Sequence, residues 1–380
     1  MSGPRAGLVA PRGDLALIEG YHSAQVEVAV RLNTNESPVS PPAALVEQLA
    51  AVCGEIELNR YPDRGAWALR RALGALHGVD AEQVFVANGS NEVLQALCLA
   101  FGGAGRTAVT FEPSYALHAH IARVTATDVI ELERDADFEI DSAALDQLGQ
   151  LGHSDQLGQA GHSGAGQPHL VFVCSPNNPT GAAVAPDVVA EIEQVTTGLV
   201  VVDEAYGQFS SWSAIPWVAD DRRVVVVRTF SKTWSLAALR LGYCVAPQWV
   251  VAALESVALP YHLDAFKQAA GELSLRFVDE MNDRTGWIVS ERERMRAGLA
   301  SLGVRTWPSD ANFVLFRPPV DAREVWSGLV ARSVLVRDCS SWPRLAGCLR
   351  ITIGTPAENN TFLTALADVL GELVGSPEAT

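Results

Sequence analysis

Lys232 closes the run Val224-Val225-Val226-Val227-Arg228-Thr229-Phe230-Ser231, and Arg240 stands eight residues after it. Four consecutive β-branched residues running into a polar turn read as a strand buried on both faces, as in a parallel sheet. Open α/β sheets bind ligands in the crevice beyond the carboxyl ends of such strands. A lysine brought there costs desolvation energy unless something uses it, and one use is as an amine nucleophile toward a carbonyl group. The same placement recurs along the chain. Tyr115 follows the strand Thr107 to Phe111, Asn178 follows Leu170 to Cys174, and Asp203 and Tyr206 follow Leu199 to Val202. Polar residues cluster at these strand ends and are nearly absent from the strands themselves, which argues for one shared site.

The elements that must position these residues alternate between strand and helix. Gln83 to Ala87 is a strand, and Asn88-Gly89-Ser90-Asn91-Glu92 opens a helix over Val93 to Phe101. Ser90 is the expected N-cap, and a Gly-containing turn into a helix N-terminus offers backbone N–H groups that suit a phosphate. A helix from Pro186 to Thr197 separates two of the strands, so right-handed β-α-β crossovers and a parallel sheet are expected. Other helices are expected from Pro42 through Cys53, over Ala66 to His77, and over Trp249 to Leu259. A helix over Ala265 to Met281 leads into a long helical segment, Arg284 to Leu302. Shorter strands at Asn312 to Phe316, Val334 to Arg337 and Cys348 to Ile353, with helices Ala322 to Ala331 and Pro356 to Val374, imply a second α+β unit. The fold class is α/β: a large domain with a mainly parallel sheet, plus a smaller α+β domain. Expected boundaries are 1–38 for an N-terminal arm and part of the small domain, 39–275 for the large domain, and 276–380 for the small C-terminal domain.

Bulk composition excludes several classes. At 380 residues the chain exceeds what one core ordinarily supports. Its net charge of −16 argues against a nucleic-acid or anionic-membrane binder. Six cysteines form no CxxC pair, so reduced thiols in a reducing compartment are expected, with no metal site. No run of about 18 apolar residues and no hydrophobic leader are apparent, so a soluble cytoplasmic protein is expected. Between Gln147 and Gln167 the sequence nearly repeats itself, and this reads as a Gly-rich surface loop. His153 and His162 within it make a poor preorganised metal site.

Together, Tyr115, Asn178, Asp203, Tyr206, Lys232 and Arg240 are the residue types that a pyridoxal phosphate site requires. The lysine supplies an amine to the cofactor's carbonyl and later serves as a base. A carboxylate keeps the pyridine nitrogen protonated, so that the ring can accept electrons. An aromatic ring stacks on the pyridine face, and a helix N-terminus with an arginine holds the phosphate.

Asn177-Asn178-Pro179-Thr180-Gly181, Asp203-Glu204-Ala205-Tyr206 and Ser231-Lys232 with Arg240 resemble fold-type I aminotransferases of classes I and II. More narrowly, five segments resemble the histidinol-phosphate aminotransferases. These are Tyr21-His22-Ser23-Ala24, Leu32-Asn33-Thr34-Asn35-Glu36, Arg60-Tyr61-Pro62-Asp63, Asn88-Gly89-Ser90-Asn91-Glu92 and the stretch Gly347 to Gly354. The likeness runs from about Tyr21 to the C-terminal helix. It implies that Lys232 carries the cofactor, Asp203 pairs with the pyridine nitrogen, Tyr115 stacks on the ring, and Asn178 and Tyr206 bond the ring oxygen. Ser90, Asn91, Ser231 and Arg240 would hold the phosphate, with Tyr61 reaching in from the other subunit of a homodimer. Tyr21, Asn35, Arg337 and Arg350 would recognise small-molecule substrates, a phosphorylated amino alcohol and a 2-oxo acid. The resemblance thus implies transamination between histidinol phosphate and 2-oxoglutarate. Aromatic amino acid aminotransferases and a phosphothreonine decarboxylase share the scaffold and stay open at this point. A non-catalytic, cofactor-binding regulator is disfavoured by the net charge and the lack of a basic segment.

Overall fold

The computed structural model describes Val9 and residues 12–15, 26–151 and 167–375. Among the described residues twelve strands form two sheets. The first is seven-stranded, in the order β2-β8-β7-β6-β5-β3-β4: β2 (Val84–Ala87), β3 (Thr107–Glu112), β4 (Asp128–Glu133), β5 (Leu170–Cys174), β6 (Leu199–Asp203), β7 (Val224–Thr229) and β8 (Gly242–Val245). Pairings from β4 through β7 are parallel, and β8 runs antiparallel to both β7 and β2. The second sheet has the order β1-β11-β12-β10-β9, with β1 (Val30–Leu32), β9 (Arg305–Thr306), β10 (Phe313–Arg317), β11 (Val334–Asp338) and β12 (Leu349–Thr352). Within it β1 pairs parallel to β11, and the other pairings are antiparallel.

The large sheet is buried on both faces because its central strands β5, β6 and β7 are apolar up to their carboxyl ends. Val171, Val173, Val200, Val202, Val224 and Val226 pack into one core. The alternate residues Leu170, Phe172, Leu199, Val201, Val225 and Val227 pack into a second core on the opposite face. Helices cover these faces: α1 (Ala43–Glu55), α2 (Trp67–His77), α3 (Ser90–Phe101), α4 (Leu117–Val124), α5 (Ser142–Leu151), α6 (Pro186–Val195), α7 (Gln248–Val257) and α8 (Ala265–Ser274). The small sheet packs its own core, with Phe313, Phe316 and Ile351, against α9 (Val278–Ser301), α10 (Ala322–Ala331) and α11 (Pro356–Gly375). Local signals set several helix starts. Pro186 occupies the first turn of α6. Asp321 caps α10 by accepting from the amides of Arg323 and Glu324, at 2.8 and 3.2 Å.

Several expectations are corrected. Ser90 is the first residue of α3, and Gly89 is the cap, at φ +87° with no side-chain bond. Gly is tolerated there because the position needs a left-handed φ. Asp203 ends β6 rather than following it. The helix expected over Ala265 to Met281 is broken: α8 stops at Ser274, a 3₁₀ turn spans Leu275–Phe277, and α9 begins at Val278. Gln147 to Leu151, expected as loop, completes α5, with Leu148 fully buried. Residues 152–166, including His153 and His162, lie outside the described residues, as does Tyr21.

Candidate active site

A cavity of about 430 Å³ opens where the carboxyl ends of the large sheet meet the small sheet. It gathers Ser90 and Asn91 from the head of α3, Tyr115 from beyond β3, and Asn178 from beyond β5. Asp203 and Tyr206 enter from the end of β6, and Ser231, Lys232 and Arg240 from the β7–β8 connection. Asn35 and Arg350 come from the other side, on the segment after β1 and on β12. Eleven of the fourteen expected residues therefore share one cavity, delivered by five strand ends and two segments of the small sheet.

The cavity floor is organised around Lys232. Its Nζ donates to the Thr34 carbonyl at 3.3 Å and lies 5.7 Å from the centroid of the Tyr206 ring. Burial and the Arg350 guanidinium pull the amine down to about 8, with Arg240 adding to this and Glu36 opposing it. At pH 7 roughly a tenth of the amine is therefore neutral and available as nucleophile or base, far more than for an ordinary lysine. The Tyr206 hydroxyl accepts from Asn35 Nδ2 at 2.9 Å. Burial raises its pKa, so it stays protonated and can donate.

Asp203 is fully enclosed. His118 Nε2 donates to its Oδ2 at 2.9 Å, and the Ala205 amide donates to Oδ1 at 3.1 Å. His118, on α4, is stacked on Phe172 with centroids 5.0 Å apart and meets the Tyr115 ring edge-on at 5.4 Å. Sequence reasoning did not single out His118. The only sequence signal was a histidine three residues after Tyr115 on an otherwise apolar helix face.

At one end of the cavity the head of α3 approaches Arg240, which adopts φ +52° and donates from Nη1 to Ser231 Oγ at 3.2 Å. Thr229 Oγ1 donates in turn to Ser231 Oγ at 3.0 Å, and the Tyr115 hydroxyl donates to Asn91 Oδ1 at 3.2 Å. The backbone here is packed to the limit. A Cβ on Gly89 would lie 2.7 Å from Arg240 Nη2, and one on Gly242 would lie 2.3 Å from the Ser90 amide nitrogen. Helix N-terminus, two serines and arginine thus form a cradle suited to a dianion.

At the other end, Arg350 donates from Nη1 to Asn178 Oδ1 and from Nη2 to the Asn33 carbonyl at 3.1 Å. Its Nε is buried without a hydrogen-bond partner. Among the described residues no carboxylate is bonded to this buried guanidinium, so its charge is available to a substrate anion.

Two expected residues stand apart from the cavity lining. Tyr61 is 80% exposed and stacks on Tyr261 at 4.6 Å between centroids. Arg337, on β11, lies directly opposite Arg350 across the β11–β12 ladder, with its guanidinium 5.3 Å from the Trp342 ring. Trp342, which the sequence reading left unassigned, does line the cavity, as do Thr34, Glu36 and Cys174. Among the described residues no cluster of His, Cys, Asp or Glu could hold a metal ion.

Comparison with known proteins agrees with this geometry. The family model for aminotransferase class I and II matches residues 27–366. The histidinol-phosphate aminotransferase of Frankia casuarinae is 43% identical, covering 96% of this chain and 91% of that protein. That of Corynebacterium diphtheriae is 42% identical over 94% of this chain and 96% of its own length. In fold, the chain superposes on the crystal structure of histidinol-phosphate aminotransferase from Sinorhizobium meliloti, in complex with pyridoxal-5'-phosphate. The TM-score is 0.80 at 23% identity, covering 91% of this chain and 92% of that one. An aspartate aminotransferase from Thermotoga maritima gives 0.76 at 19% identity, with 92% of both chains covered. On its family match and its 42–43% identical relatives, the chain belongs to the aminotransferase class I and II family.

Proposed function

We propose that this chain is a pyridoxal phosphate-dependent aminotransferase that exchanges the amino group between histidinol phosphate and 2-oxoglutarate, a step of histidine biosynthesis. The observation that carries the reading is the single cavity holding Lys232, Asp203 and Arg350, with Arg337 opposite Arg350. The relatives of 42–43% identity bearing the name histidinol-phosphate aminotransferase set the substrate.

The donor set fits the cofactor. The cradle of Ser90, Asn91, Ser231 and Arg240 would hold its phosphate, Tyr115 its ring face, Asp203 its pyridine nitrogen, and Asn178 and Tyr206 its ring oxygen. When bound, pyridoxal phosphate would supply an aldehyde for the substrate's amino group and an electron sink for the α-carbon. The chain's own residues do the rest. Lys232, with its depressed pKa, takes the proton from the substrate α-carbon. Asp203 keeps a positive charge on the ring nitrogen, and His118 keeps Asp203 oriented. Arg350 receives the substrate's phosphate in one half-reaction and the carboxylate of 2-oxoglutarate in the other. Directly opposed residues of an antiparallel pair project on one face, so Arg337 adds a second guanidinium on the side where a phosphate dianion is best matched.

The assembly we propose is a homodimer in which Tyr61 reaches in from the other subunit to the cofactor's phosphate, while Tyr21 on the N-terminal arm meets the substrate. Tyr61, Leu58 and Leu259 are 80%, 90% and 76% exposed, which leaves an apolar face for a second copy. The boundaries we propose follow the two sheets: 39–275 for the large domain and 276–380 for the small one, which residues 1–38 join through β1. Cytoplasmic location is proposed on the free cysteines, five of the six buried. Among the described residues no helix is long and apolar enough to cross a membrane, and the net charge of −16 supports small molecules rather than nucleic acid as ligands.

The test is to add histidinol phosphate, then phenylalanine, to the purified holoenzyme while following the cofactor's visible absorption. The expected outcome is loss of the band at micromolar histidinol phosphate and a weak response to phenylalanine. The reverse preference would move the chain to the aromatic aminotransferases. A protein that acquires no visible band with added pyridoxal phosphate would remove the cofactor reading altogether.

A further inference from the structure

The connection between β11 and β12 carries Trp342 into the same cavity as Arg350 and Asn178. Its backbone is fixed by a tight turn: the Trp342 amide donates to the Cys339 carbonyl at 2.9 Å, and the Leu345 amide donates to the Trp342 carbonyl at 3.1 Å. The ring is half-buried against a separate apolar cluster that includes Phe138, Trp307 and Leu345. Its position is therefore set by packing. The Arg337 guanidinium stands 5.3 Å from the centroid of this ring, within the range of a cation–π contact. Arg337 is also the cross-strand partner of Arg350. Like charges directly opposite one another repel. Arg350 is fixed by Asn178 and Asn33, so Arg337 is the one that must be held against that repulsion.

We propose that Trp342 is a positioning residue: its indole face holds Arg337 beside Arg350, and this contact sets the preference for an anion bearing two charges over a carboxylate. The inference rests on the reading that one substrate is phosphorylated. Arginine has a long, rotamer-rich side chain, and fixing it costs entropy on every binding event unless a contact has already fixed it. A preset guanidinium pair favours a phosphate dianion, which uses both groups. A carboxylate needs only Arg350.

The test uses the holoenzyme and the variants Trp342→Leu, Trp342→Phe, Arg337→Ala and the double variant Trp342→Leu/Arg337→Ala. Leucine keeps apolar packing against the cluster and removes the ring quadrupole, whereas phenylalanine keeps a ring. Steady-state KM is read for histidinol phosphate and for glutamate, together with inhibition by inorganic phosphate when glutamate is the amino donor. We expect Trp342→Leu to raise the KM for histidinol phosphate roughly two- to thirty-fold more than that for glutamate, the range that one cation–π contact spans. Phenylalanine should restore most of the loss, and the double variant should be no worse than Arg337→Ala. Phosphate inhibition should weaken in parallel. Equal rises in both KM values, or additive losses in the double variant, would overturn the proposal. If the parent enzyme does not turn over histidinol phosphate but Trp342→Leu weakens phosphate inhibition, the positioning role stands and the substrate reading fails. If it does turn over histidinol phosphate and phosphate inhibition does not move, the positioning role alone is lost.

Discussion

Lys232 owes its chemistry to its surroundings. Burial and the Arg350 guanidinium disfavour its charged form, which brings the amine to about 8 from an ordinary value of 10.5. Only the neutral amine can attack the aldehyde of pyridoxal phosphate. The rate at which cofactor-free enzyme captures the cofactor should therefore rise with pH and level off above about 8, rather than climbing toward 10.5. Stopped-flow absorbance on the cofactor-free protein measures this, and a profile still rising steeply at pH 9.5 would contradict the buried environment described for the amine. Lysine and its strand were legible in the sequence because a run of four valines ending in a polar turn has few other uses. His118 was not. One histidine in a helix carries no signal until the fold brings it to Asp203, 85 residues away in sequence. Trp342 was hidden for the same reason, since its partner cavity is assembled from segments spread over 300 residues.

Among the elements, the most informative were the fully buried parallel strands. Their β-branched runs alternate between two cores and admit no helical period. Among the elements left unassigned, β4 lies at the sheet edge and exposes Asp128, Glu131 and Glu133, which blurs its strand pattern. β8 was unassigned because Gly242-Tyr243-Cys244-Val245 is short and begins with glycine. That glycine is where β8 passes beneath α3. A Cβ there would meet Ser90 N at 2.3 Å and the Gly89 carbonyl carbon at 2.4 Å, both backbone atoms that cannot rotate aside. Gly242→Ala should therefore displace the head of α3 from Arg240 and Ser231. Losing one charge-assisted bond of the cradle corresponds to roughly ten- to a hundred-fold weaker pyridoxal phosphate binding. Equilibrium dialysis of the variant, with its fold checked by circular dichroism, measures the change. A variant with normal secondary structure and parental affinity would show that α3 is not the phosphate cradle.

At the scale of the whole molecule, Tyr61 is missing from the lining that the cavity draws from the described residues. Within one chain Tyr61 stacks on Tyr261 rather than facing Lys232. Tyr61, Leu58 and Leu259 are all highly exposed, and the homodimer proposed above would cover Tyr61. In a twofold dimer the contribution is reciprocal, so the two lesions Tyr61→Ala and Lys232→Ala fall on the same site when each is carried by a different subunit. A dimer built from one of each has one site lacking both residues and one site with both intact. Refolding or subunit exchange of two nearly inactive variants in equal amounts should then recover about a quarter of parental activity: half of the dimers are mixed, and each mixed dimer has one sound site. Turnover of histidinol phosphate before and after exchange reads this directly. Activity that stays at the average of the two variants, while size-exclusion chromatography shows a dimer, would place Tyr61 in its own subunit's site or in none.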